Sequence, residues 1–133
     1  QVRRPGVVKL TPVDRVRRMA YAYTDFALDN TSQYRFMFMT PPTQSLAIAH
    51  EEIHKRPEED AYLFLLDTVT EGINLGVYRP ELSDPVELAQ IFWSGLHGII
   101  SLWLTHCGNP HIILRDPRET VRTQCDLIIR GAL

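Results

Sequence analysis

Residues 84–107 read DPVELAQIFWSGLHGIISLWLTHC, and the fold follows from how this stretch is read. Almost every position from Val86 to Leu104 is apolar or small, and the stretch holds both tryptophans. On a helix of 3.6 residues per turn, Val86, Ala89, Trp93, Leu96, Ile100 and Leu104 share one face. Leu88, Ile91, Gly95, Ile99, Leu102 and Trp103 extend that face far round the cylinder. Only a thin small or polar sector remains: Ser94, Gly98, Ser101 and Thr105, with Gln90 and His97 at its edge. A helix apolar nearly all round is buried on more than one side. One side is expected on the chain's own core and the other on a second copy of the chain. Asp84 is a predicted N-cap, Pro85 the first helical residue and Glu87 the completion of a capping box. A membrane span is disfavoured, because Glu87, Gln90 and His97 interrupt the stretch and its clean apolar part falls short of the roughly 20 residues a span needs.

Working outward, the remaining segments also read as helices. Thr11 caps a helix that runs to Asn30, with Pro12 at its first position and Asp14 in its first turn. Its stripe is Val13, Val16, Ala20, Tyr23 and Ala27, widened by Met19 and Phe26. Tyr34 to Met39 alternates like a strand, but a lone strand among helices has no pairing partner, so a short helix is predicted. Thr40-Pro41-Pro42 stops it. Gln44 to Lys55 is a weaker helix, and a stronger one starts at Pro57 with Glu58, Glu59 and Asp60 at its positive end. That helix runs to about Val77, with Ala61, Phe64, Leu65, Thr68, Val69 and Gly72 along its stripe. Gly108-Asn109-Pro110 ends the helix around Trp93. Asp116, Pro117 and Glu119 repeat the cap, proline and capping-box arrangement before a last stripe of Val121, Cys125, Ile128, Ile129 and Ala132. The expectation is an all-α domain over 11–133, a bundle of about five main helices joined by short loops. Residues 1–10 are expected to be a linker or the remnant of a preceding region.

Bulk properties narrow the function. The 133 residues are enough for one domain with a real core. A net charge of -2 does not suggest a nucleic-acid binder, although the first 18 residues hold six cations against Asp14 alone. Cys107 and Cys125 have no metal-type spacing, so reduced thiols and a cytoplasmic setting are the default. No signal peptide is visible. The chain begins with Gln1 rather than Met, so a fragment with its natural start further upstream is expected.

Two patterns bear on chemistry. His50-Glu51-Glu52-Ile53-His54 fits H-E-x-x-H, which on a helix sets two imidazoles one turn apart beside a carboxylate base. A metal-dependent hydrolase using His50, Glu51 and His54 is the alternative this raises, and a ligand-free helical interaction module is the other. The motif's context weighs against the hydrolase, since Lys55-Arg56-Pro57 cuts the helix short and no third ligand stands nearby. No other catalytic arrangement or cofactor motif is present, and the chain is not expected to be an enzyme. The second pattern is aromatic and sulfur-rich. Tyr23, Phe26, Tyr34, Met37, Phe38, Phe64 and Trp93, with His97 one turn beyond as a polar anchor, are the expected lining of a small-molecule pocket between helices.

Tyr23-Thr24-Asp25-Phe26-Ala27-Leu28 followed by Tyr34-Arg35-Phe36-Met37-Phe38 resembles the opening of the C-terminal domain of TetR-type transcriptional regulators. Trp93-Ser94-Gly95-Leu96-His97-Gly98 is similar to the Trp, His, Gly signature of one subgroup. The resemblance covers about Thr11 to Leu133. It implies an all-α regulatory domain whose last two long helices pair with those of a twin in a four-helix bundle. Ile91, Gly95, Gly98 and Leu102, with Val121, Cys125 and Ile128, are the expected homodimer interface. It also implies a small, often apolar effector held among the earlier helices. The family's helix-turn-helix domain lies N-terminal to all this. No such module precedes Thr11, so any contact with DNA is expected only through that absent part.

Overall fold

Three helices start on the same device, a side-chain acceptor followed by proline. Thr11 Oγ1 accepts from the Asp14 N–H at 3.1 Å. Asp84 Oδ1 accepts from the N–H groups of Val86 at 3.0 Å and Glu87 at 3.4 Å. Asp116 Oδ1 accepts from the Arg118 N–H at 3.0 Å. Each cap satisfies donors that the first turn leaves without helical partners, and the proline costs no bond there.

The computed structural model describes residues 10–40 and 57–133. Over these it has helices α1 (Pro12–Asp29), α2 (Thr31–Met39), α3 (Pro57–Asn74), α4 (Pro85–His106) and α5 (Pro117–Ala132), with no strands among the described residues. The protein is all-α, and the short aromatic segment is helical as expected. The weak helix predicted over Gln44–Lys55 and the His50–His54 motif lie outside the described residues, as does most of the predicted linker.

Helix α1 packs against each of the other four described helices, and α4 packs against α1, α3 and α5. The core is built from Val16, Ala20 and Ala27 of α1, Leu65 and Val69 of α3, Leu88, Phe92, Leu96 and Ile100 of α4, and Val121, Cys125 and Ile129 of α5. Ion pairs tie α1 down along its length. Arg15 pairs with Glu71 at 2.5 Å, Arg17 with Asp126 at 3.4 Å, and Arg118 with Asp25 and Asp29 at 2.9 and 3.3 Å. The first two are part-buried and the Arg118 pairs exposed, and exposed pairs of this kind contribute little to stability. Gly76, at φ +73°, turns the chain sharply out of α3, a conformation in which a Cβ would be strained. Tyr78 then folds back onto α3, and a Cβ on Gly72 would stand 2.5 Å from its ring.

Helix α4 has 22 residues and by length and composition alone would suffice to cross a membrane, a test that core helices also pass. Its two sides differ. Leu88, Ala89, Phe92, Leu96 and Ile100 are buried. Val86, expected on the same face, is half exposed, because it sits in the first turn ahead of the bundle. Ile91 and Leu102 are 42% and 52% exposed, and a Cβ on Gly98 would meet nothing within 4 Å.

The last helix departs from expectation in the partner its stripe meets. Val121 is fully buried and Cys125 nearly so, within the chain's own core, and Ile128 is partly buried against it. They face α1 and α4, not outward, since the apolar stripe of α5 is the one that closes the bundle. Gly95 is likewise taken up internally, where a Cβ would lie 2.9 Å from the Gln124 amide of α5.

A candidate ligand cavity and the polar chain behind it

The five described helices leave a gap where large side chains meet. The cavity of about 40 Å³ is bounded by Val16, Met19, Ala20 and Tyr23 of α1, by Leu65 and Tyr62 of α3, and by Phe92, Trp93 and Leu96 of α4. Phe38 of α2 and Gln124, Cys125 and Ile128 of α5 complete the wall, with Ala61 and Glu58 of α3 at one side. Its surface is almost wholly apolar. At this size it holds a few waters, whereas ligand pockets run to roughly 300 Å³ or more, so an organic ligand must push the wall apart.

Behind the wall lies a chain of hydrogen bonds linking three helices. Trp93 Nε1 donates to the Tyr23 hydroxyl at 3.1 Å. The Tyr23 and Tyr34 hydroxyls lie 2.8 Å apart, and the Tyr34 hydroxyl is 2.5 Å from His97 Nδ1. One direction is fixed by its end: an indole N–H only donates, so Tyr23 accepts from Trp93. Either phenol can donate in the Tyr23–Tyr34 bond, and the Tyr34–His97 bond runs from the phenol with the ring proton on Nε2 and from the ring with it on Nδ1. Burial lowers the His97 pKa, favouring the neutral ring. Burial also pushes both phenols up, Tyr34 far above the ordinary tyrosine value, so they stay protonated donors.

The rings are packed as well as bonded. Tyr34 stacks on Phe38 with centroids 5.0 Å apart, and Tyr23 meets Phe38 edge-on at 5.1 Å. Phe38 and Tyr62 approach the Trp93 indole at 6.3 and 5.8 Å. Helix α2 is held in place for this by Arg35, which donates to the Leu104 carbonyl at the C-terminal end of α4.

Of the residues expected to line a pocket, Tyr23, Phe38 and Trp93 border the cavity. Tyr34 and His97 stand behind it as members of the polar chain. Phe26 and Met37 border a separate open depression on the outer side of α1 and α2. Phe64 is half exposed and does not border the cavity, its place being taken by Leu65, one residue round the helix. Sequence reasoning passed over Tyr62, Glu58 and Gln124. Tyr62 follows Glu58 by one helical turn, a spacing that places both on one face.

The family model described as Tetracyclin repressor-like, C-terminal domain, matches residues 16–128. The chain belongs to this family, a group of regulatory domains that bind ligands and dimerise. No curated protein and no solved structure matches it.

Proposed function

We propose that this chain is the effector-binding and dimerisation domain of a bacterial TetR-type transcriptional regulator, of the subgroup marked by Trp93, His97 and Gly98. Its ligand is a small apolar molecule, and DNA is contacted by a helix-turn-helix domain N-terminal to α1. The observation that carries this reading is an apolar cavity among helices, backed by a polar chain, within a fold of this family.

Helix α1 supplies four wall residues and is the first helix of the domain, so it is the element through which ligand entry is felt. A ligand that needs a wider cavity binds the state with α1 displaced better than the state with it seated. That difference in affinity is the whole of the regulatory signal. The cost of opening the cavity reduces the apparent affinity by the fraction of molecules already open.

For the homodimer, the exposed stripe of α4 offers Ile91, Gly98 and Leu102. Leu127 of α5, 67% exposed, extends the same surface across the Gly95–Gln124 contact. Val121 and Cys125 contribute from behind, by holding α5 in place.

Thermal denaturation against a panel of apolar compounds tests the reading. A ligand at a hundred times its Kd raises stability by about 2.7 kcal/mol. Light scattering should give twice the 15.3 kDa chain mass. A panel that leaves the melting temperature unmoved, together with a monomer, sinks it.

A further inference from the structure

We propose that the effector carries a hydrogen-bond acceptor, a carbonyl or ether oxygen on an apolar body, and that it displaces Phe92 to reach the Tyr78 hydroxyl. This rests on the reading of the cavity as the effector site.

Among the described residues, the buried side chains that carry a hydroxyl are Thr24, Tyr34, Thr68 and Tyr78. The first three are bonded. Thr24 and Thr68 donate to the Ala20 and Phe64 carbonyls one turn back, at 2.7 and 2.8 Å. Tyr34 bonds both Tyr23 and His97. The Tyr78 hydroxyl is buried with no partner, in a residue only 6% exposed. Burial pushes its pKa up, so it stays a protonated phenol with a proton to donate. Leaving such a group unmatched is unfavourable, and folded chains do so rarely. Packing does not explain it. A phenylalanine ring would make the same contacts with Gly72 and Phe92 without that penalty.

The place of Tyr78 gives the hydroxyl a use. Its ring centroid lies 6.4 Å from that of Phe92, and Phe92 is part of the cavity wall. Phe92 therefore meets both the cavity and Tyr78. The cavity is too small for an organic molecule as it stands, so ligand entry moves a wall. The polar tips of Trp93 and Tyr23, which also border it, are already engaged with each other and with Tyr34. Displacing Phe92 joins the cavity to a donor that has no other bond to lose. The bond it gives the ligand offsets part of the work of opening. A ligand without an acceptor gains nothing in that direction.

The test compares diphenylmethane with benzophenone, a matched pair in which a carbonyl replaces a methylene, on the unsubstituted chain and on Tyr78→Phe. Binding is followed by titration calorimetry. A pocket with no free donor prefers the hydrocarbon, because the carbonyl leaves water for no partner. The expected result is benzophenone at least as tight as diphenylmethane on the unsubstituted chain. Tyr78→Phe should weaken benzophenone about fivefold and leave diphenylmethane unchanged. The free variant should melt at or above the parent's temperature, since it keeps the ring and loses an unmatched hydroxyl. A variant that melts lower shows the hydroxyl already bonded and overturns the proposal. Benzophenone affinity that survives the substitution overturns it as well. Diphenylmethane binding tighter than benzophenone on the unsubstituted chain overturns it too, and leaves the cavity as a site for hydrocarbons. Binding by neither probe overturns the cavity reading itself.

Discussion

The two sides of α4 are made from the same kinds of residue and live in different surroundings. The inner side sets Phe92, Leu96 and Ile100 against α1, α3 and α5, and carries Trp93 and His97 into the polar chain. The outer side presents Ile91 and Leu102 about half exposed, and among the described residues nothing stands within 4 Å of a Cβ placed on Gly98. Apolar character alone therefore does not say what a residue does. The inner side owes its fixed geometry to large side chains locked by neighbours. The outer side is partly exposed apolar surface whose role depends on a second molecule.

The contrast breaks most sharply at paired truncations. Ile100→Ala, at a site with 0% exposure, should cost about 2–5 kcal/mol in urea denaturation, as lost burial and a residual cavity both count. Leu102→Ala should cost well under that in dilute protein, and its effect should grow with protein concentration as a dimer forms. Equal losses at both sites, independent of concentration, would mean the outer side is covered by the chain itself.

Next in size is the polar chain. Tyr34→Phe removes the hydroxyl that bonds both His97 Nδ1 and the Tyr23 hydroxyl, leaving part-buried polar groups unmatched. A loss of about 1–3 kcal/mol is expected, with little change in secondary structure by circular dichroism. Tyr34→Phe that melts like the parent would show that the chain contributes nothing.

The same chain predicts a pH dependence. His97 has its pKa lowered below the ordinary 6.5 by burial, so the unfolded state takes up its proton first as pH falls. Stability from keeping this ring neutral is full above 6.5 and is lost as the pH drops through the folded value. Urea midpoints at pH 7.5 and pH 5 should fall in the parent, and fall less in His97→Gln. A parent that gains stability on acidification contradicts a neutral His97 ring.

The smallest effects come from glycines, and they should differ in sign. Gly72→Ala drives a Cβ into the Tyr78 ring on the buried side of α3, a net loss of about 1 kcal/mol or more despite the better helix former. Gly98→Ala meets open space and should add about 0.5–1 kcal/mol in the monomer. If two copies pack closely at Gly98, the same change weakens the dimer, which sedimentation at several concentrations would reveal.

Much of the architecture was legible in the chain because the signals are local. Thr11-Pro12, Asp84-Pro85 and Asp116-Pro117 mark helix starts by hydrogen bonds that reach only two or three residues. The stripes of α1 and α5 follow from periodicity, and Val16, Ala20, Val121 and Ile129 are buried as their spacing implies. Even the aromatic set was readable as a set: Tyr23, Tyr34, Phe38, Trp93 and His97 do converge. Phe64 and Leu65 were harder to separate, because both lie near the edge of one stripe and a small rotation of α3 exchanges them.

What the sequence determined alone was where helices begin, where they stop and which residues avoid water. Those outcomes depend on bonds and contacts within a few turns. What the tertiary structure decided was the partner of each apolar face. Val121, Cys125 and Gly95 meet their own subunit, while Ile91, Gly98 and Leu102 remain open. Hydrophobic attraction has no direction, so a greasy stripe encodes only that it will be covered. Which neighbour covers it is set by how all the helices fit together, and that fit turns Glu58, one of three adjacent acids, toward a cavity of rings.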